Sequence, residues 1–249
     1  MLTRLSKNNL FMNWKRNLGL FMLALSPLMI SSCLDDNDPA DIPPVAYVAY
    51  YHGSPETGSV SIYADGRLYN SNNFEYTDFF NYGNYYTGER TLSFKNRNAA
   101  NSLLDTTVTL VENQPYTFFF IDGDEDADMG VVIAEDNWDD PEANKAMIRL
   151  AHLSPDSPEV NLFINDEETP SEANVAFKDV TDFIEIDADL TSFTVKDAAS
   201  GETLLTAEDL NLRSQRIYTV VVRGYASPDA GTSSADDLSL QVIRNYPNY

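Results

Sequence analysis

His52 and His152 are the only histidines in the chain, and each stands two residues before a serine, Ser54 and Ser154. In a strand, residues i and i+2 share a face. The spacing therefore brings an imidazole and a hydroxyl to one side, as the first two members of a hydrolytic triad require. A hydrolase also needs an oriented acid and an oxyanion hole, and no Gly-x-Ser-x-Gly motif supplies them. The pair is moreover duplicated, whereas active sites are usually single. Imidazole and hydroxyl are expected instead to close a turn by hydrogen bonds to backbone, and a hydrolase ranks last among the functions considered.

A second group is carboxylate. Asp124, Asp126 and Asp128 alternate, and Glu135 follows eleven residues after the first, which partly mimics a calcium loop. Crowded carboxylates repel one another, so a Ca²⁺ ion would relieve that repulsion. Met129 occupies the position where such loops need glycine, and a solvated acidic hairpin loop is the competing reading.

The third group is aromatic. Tyr69, Phe74, Tyr76, Phe79, Phe80, Tyr82, Tyr85 and Tyr86 fall within one stretch, with five asparagines and Gly83 among them. Tyrosine beside asparagine and glycine is the mixture adaptable binding surfaces use. Gly83 and Asn84 favour a tight turn, which would hold Tyr82, Tyr85 and Tyr86 at a strand end as a ligand-binding set. The alternative is that several of these rings fill a sandwich core or an interface between repeats.

The single cysteine has one evident use. Residues 1–32 carry Arg4, Lys7, Lys15 and Arg16 and no acid, and an apolar run extends from Leu18 to Ile30. That run is too short for a permanent transmembrane helix, which needs about 20 residues, and it has the form of a secretory signal. Its end, Ile30-Ser31-Ser32-Cys33, resembles a bacterial lipobox, in which the cysteine receives lipid and becomes the new N-terminus. Met12 is an alternative start. Residues 33–44, acidic and proline-containing, then read as a solvated tether. The expected location is the cell envelope, as an outer-membrane lipoprotein held to the membrane by its N-terminal lipid. The acidic run after Cys33 is similar to a surface-export tag, or is simply a flexible spacer.

A formal charge of −23, from 39 acidic and 16 basic residues, repels phosphate backbones and excludes a nucleic-acid surface. One cysteine and two histidines exclude a disulfide framework and a Cys-based zinc site.

The elements that must position these groups repeat. Tyr51-His52-Gly53-Ser54-Pro55 returns as Ala151-His152-Leu153-Ser154-Pro155, a shift of 100 residues. Val60-Ser61-Ile62-Tyr63 returns as Val160-Asn161-Leu162-Phe163, and Tyr116-Thr117 before three phenylalanines returns as Tyr218-Thr219 before three valines. Two copies of one domain are expected, residues 45–137 and 145–249, joined by a linker at 138–144. Val45–Tyr51, Met147–His152, Val60–Ala64, Val160–Ile164, Thr91–Phe94, Ser192–Val195, Thr107–Leu110 and Leu238–Ile243 read as strands. Asp65-Gly66 and Asn165-Asp166 read as turns between them. Alternation places one face of each strand inward and one in solvent. The fold class is all-β: two tandem antiparallel sandwiches of immunoglobulin or transthyretin type.

The stretch Met147–Asn165, with His152-Leu153-Ser154-Pro155-Asp156-Ser157-Pro158 at its centre, resembles the opening signature of the family called domain of unknown function 4397. The first copy keeps only His52-Gly53-Ser54-Pro55 of it, and Asp166 stands where the turn glycine usually sits. The resemblance implies a tandem envelope β-sandwich and no chemistry. The reading that follows is a non-enzymatic, lipid-anchored envelope protein presenting two sandwiches for interaction or spacing. Its rival is a carbohydrate-binding lipoprotein using the aromatic segment, with a protein or an uncharged glycan as partner.

Overall fold

A computed structural model describes residues 43–123, 129–137, 139–165, 167–227 and 233–245. Sheet one of the first repeat contains β1 (Val45–His52), β4 (Phe79–Tyr86), β7 (Pro115–Asp122) and β8 (Met129–Glu135), in the order β4-β1-β7-β8. Sheet two contains β2 (Val60–Ala64), β3 (Arg67–Leu68), β5 (Gly88–Asn96) and β6 (Leu104–Leu110), in the order β3-β2-β5-β6.

The second repeat rebuilds both sheets. Its β9 (Lys145–His152), β12 (Ile184–Asp187), β15 (Ile217–Arg223) and β16 (Ser239–Arg244) form the sheet β12-β9-β15-β16. Its β10 (Val160–Ile164), β11 (Glu172–Val175), β13 (Leu190–Asp197) and β14 (Thr203–Asn211) form β11-β10-β13-β14. Every pairing recurs with each strand number raised by eight, so the duplication seen in the sequence is a duplication of topology. The sheets are not wholly antiparallel: β1 pairs with β7, and β9 with β15, in parallel.

The turn chemistry is local. Asp65 and Gly66 take φ of 49° and 75°, the left-handed pair that a two-residue hairpin turn requires, and they join β2 to β3. Asn165 takes φ of 54° at the corresponding place.

Each sandwich has its own core. Val48, Tyr50, Ile62, Phe94, Phe118 and Phe120 are fully buried in the first, and Ile148, Leu150, Leu162, Phe193, Val220 and Val222 in the second. A third cluster joins the two: Tyr51, Phe119, Ile121 and Ala134 pack with Ala151, Leu153, Val221 and Ile243. Phe118 and Phe120 thus face the first sandwich core while Phe119 faces the other repeat, and Val221 does the same from its side.

This corrects the expectation that one face of every strand meets solvent. All eight residues of β7 are buried, as continuous apolar runs are when a sheet is covered on both faces. Outer strands such as β6 and β12 keep the alternation. The described residues of both repeats lie in one compact unit. Among the described residues no helix is long and apolar enough to cross a membrane.

Candidate functional site

The His-x-Ser signature ends β1 and β9, and its atoms are occupied. Ser54 N–H donates to Nδ1 of His52 (3.4 Å), leaving Nε2–H to donate to the Gly58 carbonyl (3.3 Å). A carbonyl only accepts, so the tautomer is fixed. His152 does likewise, with Ser154 N–H at 3.3 Å and the Pro158 carbonyl at 3.0 Å. Ser54 Oγ lies 2.7 Å from Thr57 Oγ1 and donates to Asp122, not to the imidazole. Neither Ser54 nor Ser154 forms a dyad with its histidine; Ser157 Oγ lies 3.2 Å from His152 Nε2, but that nitrogen carries the proton it gives to the Pro158 carbonyl, so it cannot take one from the hydroxyl. Each histidine closes the turn behind it.

Burial between Phe74 and Phe120 pushes His52 down from 6.5 to about 4, and burial lowers His152 as well. A depressed imidazole has one sign: the unfolded chain takes up its proton near pH 6.5, while the folded chain resists until about pH 4. Stability fully present above pH 6.5 is therefore lost as pH falls toward 4, by about 2–3 kcal/mol for His52. Asp122 acts in the opposite sense, since burial raises it and the folded state takes its proton first. Denaturant midpoints measured across this range should fall for the wild type and fall less for His52→Gln. Equal slopes would contradict the burial.

Tyr82, Tyr85 and Tyr86 do not form the turn-held set expected of them. Gly83 and the asparagines are poor strand formers, yet Val45–Val48 pair with Gly83–Tyr86 and hold them in β4. A strand sends successive side chains to opposite faces, so Tyr82 and Tyr85 part company. Tyr85 enters the first core at 6% exposure, its hydroxyl accepting from Tyr50 (2.8 Å). Tyr82 turns toward the second repeat and donates to Asp136 (2.5 Å). Tyr86 stays 60% exposed.

The surroundings of Tyr82 are a buried polar cluster between the repeats. Arg149 pairs with Asp136 at 2.6 Å, their side chains 1% and 0% exposed. Arg149 Nε donates to Thr219 (2.9 Å), Thr219 to Asn245 (2.6 Å), and Asn245 to both Tyr82 and Thr117 (3.1 and 3.2 Å). Thr117 donates back to Asp136 (2.5 Å). Nη2 of Arg149 finds no hydrogen-bond acceptor, but the guanidinium sits 4.4 Å from the Phe183 ring centroid, where cation–π attraction offsets part of that loss. Further contacts tie the repeats: Tyr225 donates to Asp122 (2.5 Å), Tyr51 to Gln241 (2.9 Å), and Arg223 to Tyr76 (2.9 Å). Burial, then its bond to Asp122, raises the Tyr225 phenol and keeps it neutral.

The open site lies where β3 and β4, both edge strands, approach each other. A groove of about 490 Å³ is lined by Asp65, Arg67, Leu68, Tyr69, Asn84, Tyr85, Tyr86 and Arg90. A second hollow of about 320 Å³, with Asn70, Asn72 and Phe80, shares the Tyr69 ring as its wall. Tyr69 lies over β4 because Gly83 has no side chain: a Cβ there would collide with its hydroxyl. Arg90 fixes one rim, donating to Asp65 (3.0 Å) and to the Tyr86 and Thr87 carbonyls (2.8 and 2.5 Å). Tyr85 is the floor and Tyr86 and Leu68 the exposed lips, at 60% and 53%.

Sequence reasoning included Tyr69 in the aromatic stretch but missed Arg67, Leu68 and Arg90, which only the packing of two edges brings near it. It also missed the pair Arg149–Asp136. A lone arginine in the otherwise apolar run from Ala146 to Ala151 was a legible sign of it; Asp136 gave none.

Asp124, Asp126, Asp128 and Cys33 lie outside the described residues. Glu135 ends β8 exposed, and among the described residues no group of three metal-capable side chains assembles.

The family described as Domain of unknown function (DUF4397) matches residues 46–163 and 146–246. No curated protein matches the chain. Among solved structures, the family CBM26 module CBMbc of Eubacterium rectale Amy13K, in complex with maltoheptaose, is similar at 11% identity and a TM-score of 0.26, over 82% of this chain and 98% of that one. A streptococcal virulence factor studied for alpha-glucan binding is 14% identical, TM-score 0.22, over 69% and 92% of the two chains. The fimbrial anchor protein Mfa2 of Porphyromonas gingivalis is 12% identical, TM-score 0.23, over 81% and 97%. Likeness this remote carries no argument about function.

Proposed function

Because the chain belongs, over both of its repeats, to the Domain of unknown function (DUF4397) family, we propose that it is a non-catalytic binding protein of the cell envelope. Lipid on Cys33 holds it to the outer membrane, and the paired sandwiches are offered as one packed unit. The observation that carries the reading is the state of the signature residues. Both imidazoles accept from the serine backbone two residues on and donate to a carbonyl six residues on, so neither is free to act as a base. A general base needs a lone pair within reach of the proton it removes. Among the described residues the β3–β4 groove is a surface concavity with convergent polar groups, whose lining suits recognition rather than bond cleavage.

Anchoring is tested at the cysteine. Each buried CH₂ of an acyl chain contributes about 0.8 kcal/mol, and stable attachment needs more than one chain. Cys33→Ser removes all of them. The variant is expected to accumulate as unprocessed precursor and, once freed of its signal, to leave the detergent phase entirely in phase separation. A Cys33→Ser protein that shows the mature mass and still partitions with detergent contradicts lipid anchoring. A turnover screen against ester, glycoside and peptide substrates addresses the other half, with no hydrolysis above background expected.

A further inference from the structure

The duplication offers an internal control on the groove. Tyr85 and Tyr86 stand opposite Ala46 and Val45, and at the same register Ile186 and Asp187 stand opposite Ala146 and Lys145. In the second repeat Asp187 pairs with Lys145 at 2.9 Å. The framework thus closes without rings at these positions. Tyr86, 60% exposed on an edge strand, contributes little to the fold, and Leu68 opposite it is 53% exposed. Large apolar side chains held out in water on both lips of one groove mark a contact surface.

Resting on the reading of the protein as a non-catalytic binder, we infer that this groove takes a neutral glycan chain. The flat C–H face of a pyranose ring covers a tyrosine ring or a leucine as another apolar surface would. Around those faces stand an asparagine amide (Asn84), a guanidinium (Arg67) and the carboxylate of Asp65, beside the phenols. Donors and acceptors are mixed within one groove, which matches hydroxyl groups, each able to donate and accept. Within the groove Arg90 is taken up by Asp65; a polyanionic chain could reach Arg67, but it would have to approach a protein of net charge −23 and is disfavoured on that approach. The volume, about 490 Å³, lies within the range of small-ligand sites, roughly 300–1,000 Å³. Tyr69 extends the surface into the second hollow, where Asn72 supplies a further amide. Gly83 sets its position, since any larger residue would push that ring off β4.

The test is affinity electrophoresis of the mature chain through gels containing laminarin, dextran, galactomannan, xylan, alginate or polygalacturonate. At least one of the four neutral polysaccharides is expected to retard the protein. Tyr86→Ser should weaken that retardation roughly tenfold, the loss of about one ring contact. Gly83→Ala should weaken it through Tyr69 with Tyr86 intact, and Leu190→Ser, exposed on the second repeat, should leave it unchanged. Circular dichroism of each variant confirms that the fold is kept. The inference is overturned by retardation in the acidic polymers alone, by none at all, or by retardation that survives both groove variants. None of those results touches the partition of Cys33→Ser, so anchoring stands or falls separately.

Discussion

Arg149→Ala is expected to lower stability by about 3–5 kcal/mol, and Asp136→Ala by a similar amount. Each truncation leaves the partner's charge buried without its counter-ion, in a site where the two side chains are 1% and 0% exposed. A domain of ordinary stability has about 5–15 kcal/mol to lose, so either change alone brings the chain close to unfolding. The double variant Arg149→Met with Asp136→Asn removes both charges while keeping an oxygen for the Tyr82 and Thr117 hydroxyls. It should recover most of the single loss, because exchanging a buried ion pair for apolar and neutral groups is often close to neutral. Urea midpoints of the wild type, Arg149→Met, Asp136→Asn and the double variant close the cycle. Single losses under about 1 kcal/mol would mean the pair is solvated.

The second large effect follows from the same contact. Asp136 and Asn245 occupy corresponding sites, since their amides donate to the carbonyls of Pro115 and Ile217, both at 2.9 Å. Ala49 and Arg149 correspond too, one opposite Thr117 and the other opposite Thr219. Two second repeats placed face to face would therefore set Arg149 against an asparagine, and two first repeats would set Asp136 against an alanine. Only the mixed pair matches charge to charge, a discrimination made by unpaired buried ions in the wrong pairings.

Residues 145–249 expressed alone keep their own core but expose Ala151, Leu153, Val221 and Ile243. That fragment should show β-type circular dichroism with a weak, early melt and concentration-dependent aggregation. Mixing it with residues 43–137 should restore a 1:1 complex with a sharp melt, read by light scattering and thermal denaturation. A monomeric 145–249 fragment as stable as the whole chain would show that the third cluster adds nothing.

Much of the architecture was legible without coordinates because its causes are local. The Asp65-Gly66 turn and the positions of the strands depend on residues a few positions apart, the repeat is a match of one segment with another, and the structure bears these out, though not the alternation expected of every strand. His52 and His152 could be assigned to turn closure because a duplicated pair with no third member argues for structure. Aromatic surplus in the first repeat was equally visible, as was the reading that some of those rings fill a core or an interface.

Tertiary packing alone decided which rings do what. Tyr82, Tyr85 and Tyr86 are separated by the side-to-side alternation of a strand that Gly83 and Asn84 disguised as a loop. That strand exists because β1 supplies hydrogen-bond partners some 35 residues away. The runs Phe118–Phe120 and Val220–Val222 announced burial, but only the facing of two sheets revealed that Phe119 and Val221 belong to one buried cluster between the repeats. Arg149 and Asp136 meet for the same reason: a buried charge is stable only beside its counter-charge, and which counter-charge that is depends on how two separately patterned sheets are laid face to face.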